Sequence, residues 1–337
     1  MSKKEWNQIY QQKCDNFNTL PSILPAVKRI IVLGDLHGDW EITINSLKIA
    51  KLIDNKLKWI GGDTVVVQLG DQIDRCRFIG IPCNLPETTK DDEASDMKIL
   101  NYFTQLHSQA QKKGGAVYSI IGNHELMNVN GNMTYVSYKN INDFNNYKKP
   151  DGSIIVDGME ARKWAFSPGN PIADFLGCTR QLSLIIGSNL FVHAGILPKI
   201  AQKYNIEEMN NILFLYLKNK LNNSKDYMEL LDSADYSPLW NRIFGSTDQS
   251  KESCDYLMNP LEQIYKVGKI FIGHTPQLNT GISNTCGGRI WLTDYGASKA
   301  FDVFDDNLIS NNTRKSVREA QVLEILNDGD EINILKK

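Results

Sequence analysis

The amino-acid sequence predicts an α/β fold, and three observations carry the prediction. Five short apolar runs, rich in β-branched residues, each end in a cluster of glycine and polar residues. Patterns of helical period lie between them, and strands alternating with helices build α/β architectures. The chain has 337 residues, 42% hydrophobic and 23% charged, enough for one sizeable buried core.

Taken in order, residues 1–25 mix polar and aromatic side chains without a clean period. They are expected to form a short helix and linker ahead of one domain over residues 26–337. Arg29–Leu33 (RIIVL) is the first strand and ends in GDLHG, with Asp35 and His37. Residues 40–50 follow as a helix with Trp40, Ile44, Leu47 and Ala50 on one face. Residues 64–69 (TVVVQL) form a strand ending in GDQIDR, which holds Asp71, Asp74 and Arg75. Residues 76–94 are a polar loop with two prolines. Asp96–Gln111 is a helix, carrying His107. Residues 116–121 (AVYSII) end in GNHE, with Asn123 and His124. Residues 130–159, rich in Asn, Gly and Lys, are expected to loop over the surface. Asn189–Val192 ends in His193-Ala194-Gly195, and Lys269–Ile272 ends in Gly273-His274-Thr275-Pro276. Residues 200–265 form a largely helical insertion, in which Phe214, Tyr216 and Tyr227 are expected in the core. Two apolar runs around Asn327-Asp328-Gly329-Asp330 predict a closing hairpin.

Composition excludes several functions. Lys+Arg is 37 against 39 Asp+Glu, a net charge of −2, so no broad basic field is present for nucleic acid. The longest apolar stretch, residues 182–197, is broken by Ser, Asn, His and glycines, so no membrane span is expected. The amino terminus MSKKEWNQIYQQK has no apolar stretch after its lysines. An intracellular aqueous compartment is the simplest location. Six cysteines in so long a chain are not the density of a disulfide scaffold. Cys76 and Cys83 bracket the loop directly after Arg75 and could form a redox-sensitive disulfide beside the site, but in a chain this poor in cysteine they are expected as free thiols, and no Cys-x5-Arg loop suggests a cysteinyl-phosphate mechanism.

Four of the five histidines stand at strand ends, together with Asp35, Asp71, Asp74 and Asn123. In open α/β sheets the carboxyl ends of strands form the ligand crevice. Carboxylates, imidazoles and one amide suit divalent Mn, Fe or Zn. Asp35 and His37, two residues apart on an extended chain, point to the same side. There are enough donors for two ions, with Asp71 placed to bridge them. Two metals about 3.5–4 Å apart form a clamp for displacement at phosphorus.

The motifs GDLHG, GDQIDR, GNHE, HAG and GHTP, in this order, resemble those of the calcineurin-like metallophosphoesterases. Within that superfamily the chain resembles the phosphoprotein phosphatase branch, of the Shewanella-like type. GNHELMNVNGNMTYVS, PGNPIADFL and SPLWNR support this placement, and the resemblance covers residues 29–335. It departs in the 76–94 loop, and at LTDYGAS, where eukaryotic relatives carry a SAPNY-type motif. The resemblance therefore does not carry Tyr295 into the site.

The resemblance implies a four-layer sandwich of two mixed sheets flanked by helices. It implies two divalent metal ions, with Mn favoured over Fe or Zn. Asp35, His37 and Asp71 would hold one; Asp71, Asn123, His193 and His274 the other. A hydroxide activated by both would attack phosphorus directly. Arg75 and Arg242, with Asn123, would bind the phosphate, because a guanidinium matches phosphate bidentately. His124 would protonate the leaving oxygen, oriented by Asp74. The implied activity is hydrolysis of phosphomonoesters on phosphorylated proteins. A dinucleotide polyphosphate hydrolase is the enzymatic alternative. An inactive phosphate-binding scaffold is the non-enzymatic one, against which stands the full ligand set.

Overall fold

The computed structural model describes Cys14, residues 17–305 and residues 315–336. Most of the expected N-terminal helix and linker lies outside the described residues. Three expected strands and one helix occur with the expected bounds: Arg29–Leu33, Asn189–Val192, Lys269–Ile272 and Asp96–Gln111. The other two strands are shorter than their apolar runs, at Val65–Gln68 and Ala116–Ser119. Their last apolar residues already belong to the turns that carry the polar groups.

These strands divide between two sheets. One has five strands in the order Glu331–Lys336, Gln321–Leu326, Arg29–Leu33, Val65–Gln68 and Ala116–Ser119. The last three run parallel, and the C-terminal hairpin is added antiparallel to Arg29–Leu33. The other has six, in the order Ile23–Leu24, Ser183–Ile186, Asn189–Val192, Lys269–Ile272, Ile290–Leu292 and Ser283–Thr285. Here Asn189–Val192, Lys269–Ile272 and Ile290–Leu292 run parallel. At the hairpin turn the Asp328 carboxylate accepts from Ser188 N at 2.9 Å and Asn189 Nδ2 at 2.8 Å, so the turn of one sheet holds the strand entry of the other.

Period-two alternation sorts the side chains into layers. Leu184, Ile186, Phe191, Phe271 and Trp291 face the five-stranded sheet and join a core with Ile31, Val66 and Val322. Ile185, Leu190, Val192, Ile270 and Ile272 point the other way, onto helices Gly158–Phe166, Pro171–Thr179, Ile206–Leu217 and Lys251–Tyr265. Helices Trp40–Ile49 and Asp96–Gln111 cover the five-stranded sheet, through Ile42, Leu47, Ile99, Phe103 and Leu106. The layers run helix, sheet, sheet, helix. Among the described residues no helix is long and apolar enough to cross a membrane.

Two expectations are corrected. Residues 130–159 are not bare surface loop. They contain helix Tyr138–Asn142 and the small hairpin Tyr147–Lys148 with Ile154–Ile155, over a buried cluster of Met133, Val136 and Ile141. Nor are Cys76 and Cys83 free thiols. They form a disulfide across the 76–94 loop, their Cα atoms 5.8 Å apart. Cys14–Cys178 and Cys254–Cys286 are also bonded, which uses every cysteine of the chain. Cysteine density misled here: Cys14–Cys178 and Cys254–Cys286, 164 and 32 residues apart, are brought together by the fold, and Cys76–Cys83 closes one short loop. In the helical insertion Phe214 is buried against the Cys14–Cys178 bridge, while Tyr216 and Tyr227 pack on each other with ring centroids 4.8 Å apart.

Candidate metal centre

The parallel strands of both sheets deliver their carboxyl ends to one place. Arg29–Leu33 supplies Asp35 and His37, Val65–Gln68 supplies Asp71 and Asp74, and Ala116–Ser119 supplies Asn123 and His124. From the second sheet come His193, His274 and Asp294. All nine are buried. The turns that aim them are tight. His37, Asp71, Asp74 and His274 have φ of 42°, 51°, 72° and 66°. Such left-handed backbone costs non-glycine residues about 1–3 kcal/mol each and collects at functional sites. Two glycines make room for the carboxylates. A Cβ on Gly122 would stand 2.1 Å from Asp71 Oδ1, and one on Gly273 would stand 2.1 Å from Asp35 Oδ1.

Asp71 is the hub. Its Oδ2 lies 3.4 Å from His193 Nε2, 3.7 Å from His37 Nε2 and 3.9 Å from His124 Nε2. His37 Nε2 is also 3.8 Å from Asp35 Oδ2. Asn123 Oδ1 lies 2.8 Å from both His193 Nε2 and His274 Nδ1. Two donor triplets result, His37–Asp71–His124 and Asp71–His193–His274, each with donor atoms within 4.8 Å of one another and Asp71 in common.

Backbone carbonyls fix which nitrogen each ring presents. His193 Nδ1 meets Leu69 O at 2.7 Å, His37 Nδ1 meets Ile73 O at 3.3 Å, and His274 Nε2 meets Trp240 O at 2.9 Å. With that nitrogen donating, the other keeps its lone pair turned inward, as metal-ligating histidines do. Burial, with Arg77 and His124 nearby, holds His37 well below the ordinary imidazole range, and burial, His193 and Arg242 do the same to His274. Both rings are therefore neutral donors.

The carboxylates are crowded. Burial, with Asp294 and Asp71 beside it, pushes Asp35 well above the usual range, and burial raises Asp294 to about 6. Burial would raise Asp71 too, but His193, His124 and His37 hold it well below. Burial works against a proton on His193, and the Asp71 carboxylate outweighs it, so His193 is raised. Asp294 Oδ2 is buried with no hydrogen-bond partner among the described residues. Buried, mutually repelling carboxylates beside the neutral His37 and His274 rings are a donor set that fits divalent cations.

His124 is held differently. Its Nδ1 lies 2.8 Å from Asp74 Oδ2, and its backbone N donates to Asp71 Oδ1 at 2.9 Å. Asp74 Oδ1 accepts from Asn128 Nδ2 at 2.9 Å, and Asn128 Oδ1 accepts from Arg162 Nε at 2.8 Å. Arg162 Nη2 donates to Asp96 Oδ2 at 2.7 Å, and Asp96 Oδ1 accepts from Asp74 N at 3.2 Å. This closed network is buried throughout, and burial still raises Asp96 to about 6. Replacing Arg162 by Ala leaves two buried carboxylates without their cation. Arg162→Ala is expected to cost about 3–5 kcal/mol in urea unfolding, the range for breaking a buried pair. A loss below about 1 kcal/mol would show that the network does not support the fold.

The two expected phosphate-binding arginines part company. Arg242 is exposed at the rim and donates to His274 O at 2.8 Å. Arg75 is buried and turned elsewhere, onto Asp39 at 3.2 Å and Glu93 at 3.1 Å. Arg77, which sequence reasoning passed over, sits among Asp71, Asp294, Asp74 and Asp35 with its guanidinium over the Phe301 ring at 4.2 Å. Two more functional positions were missed. Glu125 accepts from the backbone N of Gly122 at 2.7 Å, Gln72 at 2.7 Å and Asp71 at 3.0 Å, and so shapes the Asp71 turn; burial raises it to about 7. Asp294 ends the strand Ile290–Leu292 in the same way that the other acids end theirs, a signal present in the sequence. Tyr295 stays in the inter-sheet core, its hydroxyl donating to Gln321 O at 3.2 Å.

Comparison with known proteins agrees with this geometry. Residues 28–278 match the family model described as calcineurin-like phosphoesterase. An uncharacterised protein of Acanthamoeba polyphaga mimivirus is 38% identical over 251 residues, covering 67% of this chain and 95% of that one. Shewanella-like protein phosphatase 2 of Arabidopsis thaliana is 29% identical over 304 residues, covering 81% and 72%. Among solved structures, a cold-active protein-tyrosine phosphatase of a psychrophilic Shewanella species shares the fold, with a TM-score of 0.64 at 20% identity over 95% of this chain and 83% of that one. The strand-end donors, the four layers and the match over residues 28–278 together make this chain a member of the calcineurin-like phosphoesterase family, a hydrolase of phosphoesters.

Proposed function

We propose that the chain is a binuclear-metal phosphomonoesterase acting on phosphorylated protein side chains. The observation that carries this is the gathering of Asp35, His37, Asn123, His193 and His274 around Asp71, with the His124–Asp74 pair beside them. Asp35, His37 and Asp71 would hold one divalent ion; Asp71, Asn123, His193 and His274 would hold the other. When bound, two such ions lower the pKa of water and stabilise charge on the phosphoryl oxygens. Mn²⁺ suits the mixed oxygen and nitrogen donors, as do Fe and Zn.

The chain's own residues supply the rest. Asp74 accepts the Nδ1 proton of His124, which leaves Nε2 to carry a proton to the leaving oxygen. Asn128 and Arg162 keep Asp74 in place. The positions of Arg242 at the rim and of Arg77 beside the acids support a role for both guanidinium groups in binding phosphate oxygens. With every cysteine in a disulfide, no thiolate is available as a nucleophile, which supports direct attack by water. The three disulfides support a compartment that keeps thiols oxidised.

Relatives named as protein phosphatases support a protein substrate. So does charge: a net −2 gives no basic field for a polyphosphate chain. The test compares kcat/KM for phosphotyrosine peptides, phosphoserine/threonine peptides and diadenosine tetraphosphate under one metal condition. Peptides are expected to win. A dinucleotide preference beyond about tenfold, roughly 1.4 kcal/mol of transition-state stabilisation, would transfer the assignment to polyphosphate hydrolysis.

A further inference from the structure

We propose that the groove between the 78–84 loop and the 131–134 turn is a substrate subsite that takes an apolar side chain of the peptide flanking the phosphorylated residue. This rests on the protein phosphatase reading above and adds a specificity to it: phosphorylated residues with apolar neighbours in sequence.

The groove has a volume of about 420 Å³, and Phe78, Pro82, Cys83, Met133 and Met159 supply its apolar lining. Pockets that bury small ligands begin at about 300 Å³, so a large side chain fits. Among the lining residues Lys163 alone is charged, and its Nζ pairs with Glu160 at 3.1 Å. On the rim Thr134 is turned to Asn132, its N and Oγ1 both donating to Asn132 Oδ1, at 3.1 and 2.6 Å. A groove with two methionines and its one charge paired suits apolar side chains of differing shape.

Its place beside the metal centre names the occupant. Residues 133–136 form a turn, closed by Val136 N donating to Met133 O at 3.1 Å. Met133 and Thr134 line the groove, and Tyr135 packs on His124 with ring centroids 5.0 Å apart. The facing wall is tied to the same tyrosine. Cys76 N donates to Tyr135 O at 3.1 Å, and the Arg77 guanidinium lies 5.8 Å from the centre of the Tyr135 ring. In the reading above His124 protonates the leaving oxygen, so the chain that bears this oxygen departs on the His124 side. The groove begins one residue before the tyrosine packed there, where the neighbours of the phosphorylated residue pass.

The loop is also dressed for contact. Phe78, Ile79 and Ile81 are all exposed on it. Exposed apolar side chains gathered in one place mark an interaction surface. The Cys76–Cys83 bridge closes the loop behind them, which lowers the ordering cost of binding.

The test uses the full chain loaded with Mn²⁺. It compares kcat/KM for a phosphopeptide with leucine at the three positions on either side of the phosphorylated residue and for the same peptide with serine there. Nitrophenyl phosphate serves as the substrate without flanking residues. Burying one leucine side chain is worth a factor of about ten or more, so the wild type is expected to prefer the leucine peptide by at least about tenfold, through KM. Phe78→Ser should bring that preference within about twofold, and Phe78→Leu should keep it. Nitrophenyl phosphate turnover should be unchanged in both variants, which also shows that they fold. Equal rates for the two peptides in the wild type overturn the subsite, and so does a preference that survives Phe78→Ser. If the peptides are equal and the chain forms a dimer that Phe78→Ser abolishes, the groove is an interface between copies, and the substrate-binding form is overturned. If nitrophenyl phosphate is hydrolysed and neither peptide is, the protein phosphatase reading itself has failed.

Discussion

Removing divalent cations with a chelator is expected to abolish hydrolysis of nitrophenyl phosphate, and adding Mn²⁺ is expected to restore it. The size of the effect follows from how little the chain offers without them. Its cysteines are bonded, and the buried acids Asp35, Asp71 and Asp294 crowd the place where a phosphate dianion must enter. Without cations the Asp71 carboxylate repels the substrate, and Arg77 is the guanidinium set against it. The loss should approach the whole enzymatic acceleration, ~10⁶-fold or more. A readout independent of activity is available. Ions that bind the folded chain stabilise it, by about 2.7 kcal/mol at a hundred times Kd. The melting temperature should rise with Mn²⁺ in the wild type and rise less in Asp71→Asn, which weakens both triplets. Undiminished turnover by protein shown to be free of metal would end the metal-centre reading.

His124→Asn is expected to lower kcat on phosphopeptides by about 10²–10⁴-fold, the range for a positioned general acid. The ring nitrogen that faces Asp74 is taken, and Nε2 faces the site. The loss should shrink for nitrophenyl phosphate, whose leaving group needs little protonation. That contrast separates an acid from a ligand, since a lost ligand would hurt both substrates alike. Because His124 Nε2 also stands 3.9 Å from Asp71 Oδ2, metal content decides the matter directly. The variant should keep two ions per chain, and a variant that binds one fewer would make His124 a ligand.

The centre was legible because each donor follows a strand directly. Asp35, Asp71, Asn123, His193 and His274 stand one to four positions past an apolar run, where glycine lets the chain turn. What was not legible lies where that local rule fails. The φ of 72° at Asp74 breaks the extended alternation, so spacing could not tell that Arg75 would turn toward Asp39 while Arg77 turned toward the acids. Arg162 and Asp96 support Asp74 from two separate helices, and nothing in either helix's sequence signals a partner 66 residues away. The strands Ile290–Leu292 and Ser283–Thr285 are three residues each, too short to show a period. Pairing of Cys14 with Cys178 and of Cys254 with Cys286 depends on tertiary approach, which neither their count nor their spacing encodes.

The C-terminal hairpin has a consequence for the order of assembly during synthesis. Arg29–Leu33, which carries Asp35 and His37, is an interior strand only because Gln321–Leu326 pairs along its flank, and Arg29 meets Glu324 across 295 positions of sequence. Until the last strands leave the ribosome, the first long strand presents an unpaired edge. Exposed edges of this kind recruit other chains, and long-range pairings form slowly. The nascent chain therefore adds almost 295 residues after Arg29 with one half of its reaction centre unsupported. At synthesis rates of roughly 5–20 residues per second, that interval is many seconds long. Chaperone demand should fall on this window, and truncations that remove only the closing hairpin should yield aggregated protein rather than a slower enzyme.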